Sequence, residues 1–367
     1  MSTPSTSRPA IVQIVPRADG GVHDFAHCLQ AEWAKQGVSS DVVAFDRRAA
    51  RELPLHERLA RLPGARSTTV LLHFSGYGYD PRAMCFWLLD ELRAARRRLD
   101  ERLRIVTMVH ELFATGPPWR SAFWLGRLQA WLTRAMAGQS DMVWTNARHH
   151  GDWLRGAMPT ELPIRVRPVF STVGEPYLPR ATLRRTDGLV VFGSPSTRAR
   201  AFGRLADRVG ELRKLGVASI IEVGTGSASK FEIPSLQHDH VGELSCPQIS
   251  HLLQAHRFAL IDYPSIYLGK STVFAAYAAH GCVVLNTAPP GVDADGLAEG
   301  VHYVALQRAS PRATDPEALA AIADAANDWY GDHTLRGQAA EFLDLLQAPV
   351  RATRERRAHA ESTAARG

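Results

Sequence analysis

The sequence predicts an α/β protein made of two doubly wound parallel-sheet domains, and three observations carry that reading. Short apolar runs alternate with helical patterns along the chain. Each run stops in polar or Gly- and Ser-rich residues. The alternation begins afresh after residues 165–177, which hold Pro168, Gly174 and Pro176. At 367 residues the chain is long for one core and suits two. The expected domains are 1–172 and 173–345, with a helical or disordered Arg-, Ala- and Glu-rich tail over 346–367.

The first half opens with a strand, Ala10–Val15, and the loop Pro16-Arg17-Ala18-Asp19-Gly20-Gly21. A helix with apolar Phe25, Cys28, Leu29, Ala31 and Trp33 follows and ends at Gly37. Residues 42–45 are the next strand, and 69–73, 105–110 and 141–145 are three more. Their polar C-terminal ends lie where open α/β sheets bind ligands. His73 stands before Ser75-Gly76-Tyr77, and His110 opens His110-Glu111-Leu112. For each histidine the alternatives are a place in a site and a structural hydrogen bond at a strand end. The Gly20-Gly21 loop reads either as a tight turn or as a close approach to phosphate; no G-x-G-x-x-G fingerprint occurs there.

Residues 119–136 form a helix with Trp119, Phe123, Trp124, Leu128, Trp131, Leu132 and Ala135 on one broad face. Arg120, Arg127 and Arg134 share another face. This is either a core helix with a solvated Arg ridge or a basic-aromatic surface resting on anionic lipid. The Arg-rich run 93–104 reads as a solvated helix face.

In the second half, residues 188–192 are a strand leading to Gly193-Ser194-Pro195-Ser196-Thr197-Arg198. A helix follows through Phe202, Leu205, Val209 and Leu212, then a strand over 218–223. His240-Val241-Gly242-Glu243-Leu244 precedes another helix. Residues 258–291 are the densest stretch: a strand over 258–261, breakers at Pro264, Ser265 and Gly269, a helix Thr272–Ala279, and a strand over 282–285. The first-turn N–H groups around 270–273 are expected to face any bound phosphate, with the Lys270 charge beside them. An ordinary βαβ unit is the plain alternative. Gly269-Lys270-Ser271-Thr272 is not a nucleoside-triphosphatase loop, because the upstream glycine of that motif falls at Pro264.

Composition narrows the classes. No run of about 18 apolar residues is present, which excludes a transmembrane helix from the reading. The start MSTPSTSRPA lacks the pattern of a signal peptide. Cys28, Cys85, Cys246 and Cys282 have no metal-like spacing and read as reduced core thiols. The expected location is cytoplasmic, with peripheral contact at the inner face of the membrane as its extension. The formal charge of +6 and pI near 9.3 suit an anionic partner, such as a phosphorylated substrate.

The stretch 258–291 resembles the donor-binding segment of retaining glycosyltransferases of the GT-B fold, the group 1 or family 4 type. Pro264-Ser265 match, Gly269 matches the glycine of a Glu-Gly pair, and Ala279 and Gly281 match the small residues before the last strand. Leu268 and Ala276 stand where that family has two glutamates. Gly20-Gly21-Val22, and His110 or His73, are similar to the family's N-terminal glycine loop and to a histidine near the reacting sugar. Ser194 stands at the position of an arginine, and Arg198 or Arg200 near that of a lysine, that neutralise the donor diphosphate.

The resemblance implies two Rossmann-like domains facing a central cleft. It implies transfer of a sugar from a nucleotide-sugar, such as a UDP- or GDP-sugar, to an unidentified acceptor with retention. His110 is the expected catalytic residue, with His73 as second candidate. Gly20, Gly21, Arg198, Gly269, Lys270, Ser271 and Thr272 are the expected donor contacts. Glu243 and Asp262 are candidates to replace the missing acids. No metal or other cofactor is expected, since fixed cations serve the diphosphate. The single Asp-x-Asp string, Asp293-Ala294-Asp295, lies beyond the motif's last strand. Nucleic acid is not an expected partner. A non-catalytic GT-B scaffold partnering an active transferase is the alternative that losing both acids would fit.

Overall fold

The computed structural model describes residues 10–62, 67–115, 119, 121–176, 185–227, 236–307 and 315–347. It separates into two compact units, Met1–Arg167 with Gln338–Gly367, and Pro168–Gly337. The expected tail lies outside the described residues from position 348 onward.

Among its described residues the first unit holds six strands: β1 (Ala10–Val15), β2 (Ser40–Ala44), β3 (Thr68–Phe74), β4 (Leu103–Val109), β5 (Met142–Thr145) and β6 (Ile164–Val166). All pair in parallel, in the order β2-β1-β3-β4-β5-β6. The chain starts at β1, steps to β2 on one side, and then builds outward on the other. The order therefore reverses between β1 and β3, which is where such sheets open a crevice at their C-terminal edge. The central strands β3 and β4 are buried along their whole length, and their apolar residues are joined there by buried Thr68, Thr69, His73, Arg104 and Thr107.

The second unit repeats the plan with β7 (Thr186–Phe192), β8 (Ser219–Val223), β9 (Gln237–Gly242), β10 (His256–Ile261), β11 (Val283–Asn286) and β12 (Val304–Ala305). Their parallel order is β12-β11-β10-β7-β8-β9, with its reversal between β7 and β10. The helix Thr272–Ala279 has the predicted bounds and is buried from Phe274 to Ala279.

Three features depart from the sequence expectations. The boundary read at 172/173 falls at Arg167/Pro168, and the chain returns to the first unit at Gln338 rather than staying in the second to 345. The reason is the helix Leu335–Gln347. Its Ala339 carbonyl accepts a hydrogen bond from the Trp33 indole at 2.9 Å, and Phe342 stacks on Trp144 at 4.0 Å. Segment 168–175 belongs to the second unit: Val169 N–H donates to the Gly269 carbonyl at 2.8 Å, and Ser171 N–H donates to the Tyr330 hydroxyl at 2.7 Å.

The helix Ser121–Ala137 is the second departure. Its inner face is Gly126, Gln129, Leu132, Thr133 and Met136, while Phe123, Trp124, Leu128 and Trp131 face outward. Arg120 lies outside the described residues. In the third departure, the Arg-rich run is not wholly solvated. Arg96 pairs with buried Asp141 at 2.8 Å and also holds the Leu103 and Gln139 carbonyls. Among the cysteines, Cys85 and Cys282 are buried, and burial pushes their thiols up to about 12 and about 11. Cys246 is exposed, against the expectation of a core thiol.

Candidate functional site

In the first unit the two candidate histidines come together. β1 reads Ala-Ile-Val-Gln-Ile-Val, and Gln13 is the one polar residue in this apolar run. Its amide nitrogen donates to the Ala26 carbonyl at 3.0 Å, so its oxygen faces His73 Nε2, also at 3.0 Å. That oxygen can only accept, so His73 carries its proton on Nε2. Burial holds the His73 imidazole well below the usual range, and neighbouring His110 pushes the same way. His73 is therefore neutral, and its Nδ1 accepts from His110 Nε2 at 3.1 Å. The rings stack with centroids 5.3 Å apart, and Phe25 meets both edge-on.

This relay, Ala26 carbonyl to Gln13 to His73 to His110, fixes one ring nitrogen of His110. A neutral His110 then carries its lone pair on Nδ1. His73 is buried with both nitrogens engaged, so it positions His110. His110 directly follows β4 and begins a loop held by Ser75, whose hydroxyl donates to Glu111 at 2.8 Å. Gly20 and Gly21 are exposed at the start of the helix Gly21–Lys35, which also contributes Phe25 and Ala26. Gly20 sits at φ +86°, a conformation that favours glycine, and no side chain caps this helix start. Both the loop after β1 and the His73 strand flank the reversal in strand order.

In the second unit the strand-order reversal gathers the ends of β7 and β10. The loop after β10 is a 3₁₀ turn, Ser265–Lys270, rather than open backbone. Ser271 caps the following helix by accepting from Phe274 N–H at 3.2 Å, and of the N–H groups expected to face phosphate that of Ser271 already donates to the Leu268 carbonyl at 3.0 Å. Lys270 and Thr272 are half-buried, and the Lys270 ammonium lies 5.5 Å from the centre of the Tyr267 ring. Gly269 is buried, and a β-carbon there would lie 2.7 Å from the Asp295 carboxylate. Only glycine permits that approach. Asp295 holds φ +57°, and its carbonyl accepts from the Trp329 indole at 2.9 Å. The Asp-x-Asp string thus folds back onto the loop from which its sequence position seemed remote. Leu268 and Ala276 are fully buried apolar side chains.

Arg198, an expected donor contact, lies buried inside the unit. Its side chain is 1% exposed and pairs with fully buried Glu222 at 2.8 Å. It also donates to the carbonyls of Gly193 at 2.6 Å and Thr225 at 2.8 Å. These contacts tie together the loops after β7 and β8. A β-carbon on Gly224 would collide with its guanidinium. Arg200 is the more exposed cation of that helix. It stands 3.9 Å from Asp262, while Arg204 is 3.3 Å from the same carboxylate. The Thr287 hydroxyl donates to Asp262 at 2.9 Å. Asp262 therefore anchors cations at the end of β10, and Glu243 lies exposed after β9. Hydroxyls of Ser194, Ser196 and Thr197 cluster at the start of the helix Pro195–Leu205 within 3.1 Å of one another along the Ser194 contacts.

Sequence reasoning missed Gln13 and the hydroxyl cluster, and set Asp295 aside as remote from the motif. The lone polar residue in β1 was the available signal for Gln13; nothing local signals Asp295, whose relevance comes from a loop returning in space. Among the described residues no group of three or more His, Cys, Asp or Glu side chains is placed to hold a metal ion. Among them, too, no helix is long and apolar enough to cross a membrane.

No protein-family model matches the chain, and no curated protein matches its sequence. Solved structures do. An α,α-trehalose-phosphate synthase (UDP-forming) from Burkholderia xenovorans, in complex with glucose-6-phosphate, is 14% identical over 93% of this chain and 100% of its own, with a TM-score of 0.57. Anabaena HepE, in complex with UDP and glucose, is 12% identical over 92% and 99%, with a TM-score of 0.57. An α-glucosyltransferase in complex with UDP-glucose and DNA is 10% identical over 92% and 99%, with a TM-score of 0.55. Together with the two parallel sheets, each with one reversal of strand order, this likeness shows that the chain has a GT-B-like fold of two Rossmann-like units.

Proposed function

We propose that the protein transfers a sugar from a nucleotide diphosphate sugar to an acceptor, with retention, in the manner of the family 4 type. The observation that carries this is the loop after β10. It joins a helix start, Lys270 and the close Gly269–Asp295 contact at the strand-order reversal of a GT-B-like second unit. UDP or UDP-glucose in the similar structures supports a uridine donor.

The chemistry asked of such a site is to stabilise charge on the departing diphosphate as the bond to the sugar breaks. Lys270 and Arg200 supply cations there, and the hydroxyls of Ser194, Ser196 and Thr197 supply further donors. Asp295 stands in for the carboxylate lost at Leu268, beside Gly269. His110, oriented by His73 and Gln13, contacts the reacting sugar or the acceptor.

A second reading is a GT-B scaffold without turnover, favoured by the burial of apolar Leu268 and Ala276 where acids are expected. A panel of UDP- and GDP-sugars, assayed for nucleotide release with and without sugar, sugar-phosphate and lipid-linked acceptors, separates the two. Release of UDP from one donor is the expected result. Nucleotide binding with no release across the panel would leave the scaffold.

A further inference from the structure

We infer that the outer face of the helix Ser121–Ala137 docks on an anionic lipid bilayer. The exposed large apolar side chains are unevenly spread over the described surface. Trp124 (70% exposed), Trp131 (46%), Phe123 and Leu128 stand on this helix, Trp119 (83%) lies two residues before it, and Tyr77 is on the segment bonded to it. A helix whose inner face is already packed on a core ordinarily turns charged residues outward. Here Trp124, Leu128 and Trp131 follow one another at helical spacing on the outer face. Exposed Arg127 and Arg134 run along their flank.

The chemistry selects the partner. Tryptophan combines a large apolar ring with an N–H donor and suits the boundary between headgroup and acyl chain. Arginines beside such rings meet anionic headgroups. The net charge of +6 adds long-range attraction of the same sign. The helix is tied to the loop that starts at His110. Ala114 N–H donates to Gln129 Oε1 at 3.0 Å, and Gly126 packs so closely on Ala114 that a β-carbon would lie 2.6 Å from its carbonyl oxygen. Gln129 also donates to the Arg82 carbonyl at 2.8 Å and to the Tyr77 hydroxyl at 3.3 Å. Docking of this face therefore brings the His110 loop to the bilayer surface. Binding needs no nucleotide, so the inference stands or falls separately from sugar transfer.

The test is cosedimentation of the full chain with vesicles of phosphatidylcholine alone or mixed with phosphatidylglycerol, at low and high salt. The wild-type protein is expected to pellet with the anionic vesicles at low salt and to be released by high salt. Trp124→Ser with Trp131→Ser should abolish pelleting without lowering the melting temperature. Arg127→Gln with Arg134→Gln should weaken it roughly 20- to 30-fold, at about tenfold per 1.4 kcal/mol. Failure of the wild type to pellet at low salt, or equal pelleting by the tryptophan variant, overturns the inference. So does equal binding to both vesicle types, or a wild-type dimer that the tryptophan variant splits into monomers.

Discussion

Replacing Arg198 by methionine tests whether this arginine serves the donor or the fold. Its side chain is 1% exposed against a Glu222 that is fully buried. Removing one partner of such a pair leaves an uncompensated buried charge, a loss of about 3–5 kcal/mol. His238 Nε2 lies 3.1 Å from the other Glu222 oxygen, so that oxygen keeps its hydrogen-bond partner in the variant. For a unit spanning Pro168–Gly337, the loss corresponds to a fall of roughly 6–20 °C in melting temperature. The carbonyls of Gly193 and Thr225 also lose their donor, which loosens the loops after β7 and β8. A thermal melt by circular dichroism reads the effect. Glu222→Leu added to Arg198→Met should recover much of it, because an apolar pair can replace a buried ionic one. A single variant with unchanged melting but weaker UDP binding would refute the reasoning and return Arg198 to the donor site.

Three further outcomes follow from the geometry. His110→Ala should lower turnover far more than it weakens donor binding, and Gln13→Leu should do the same to a smaller degree by releasing the His73 tautomer; steady-state kinetics beside a UDP titration reads the split. Ala276→Glu should cost several kcal/mol with no gain in UDP affinity, since the side chain is fully buried in an apolar helix; tighter binding at unchanged stability would show that the helix offers this position to the ribose. His280 is buried, with Nδ1 against the Ala276 carbonyl at 2.7 Å and Nε2 against Ser250 at 2.8 Å, and burial brings its imidazole down to about 4. The unfolded chain takes up that proton near pH 6.5 and the folded one only near 4. Stability from this group is therefore whole above 6.5, falls as pH drops from 6.5 to 4, and loses about 3 kcal/mol in all. Denaturant melts of His280→Gln should show a correspondingly flatter pH dependence across that window than the wild type.

The fold was largely legible because both halves obey local rules. Ala10–Val15 and Thr272–Ala279 have the bounds their apolar patterns and breakers indicate. β6 and β12 escaped notice because three and two residues carry too little periodicity to stand out. The return of the helix Leu335–Gln347 to the first unit was illegible for a different reason. Nothing near Phe342 in sequence says that its partner is Trp144. At the site, strand ends were readable, and so both histidines were singled out. Their direct bond at 3.1 Å, with Gln13 behind His73, was not, because register between parallel strands sets it. Arg198 misled because a helix-start arginine looks the same in sequence whether it meets phosphate or a buried glutamate. The aromatic helix misled in turn because its spacing defines a face but not which side that face turns to.

The central claim is that the loop after β10 holds the diphosphate of a nucleotide-sugar donor, and calorimetric titration of UDP and GDP tests it most directly. The wild-type protein is expected to bind one of them. Lys270→Ala is expected to weaken that binding by roughly 1–3 kcal/mol, about 5- to 150-fold in Kd, the scale of a charge-assisted hydrogen bond. No heat with either nucleotide at saturating concentration, or an affinity unchanged by Lys270→Ala, would contradict the claim.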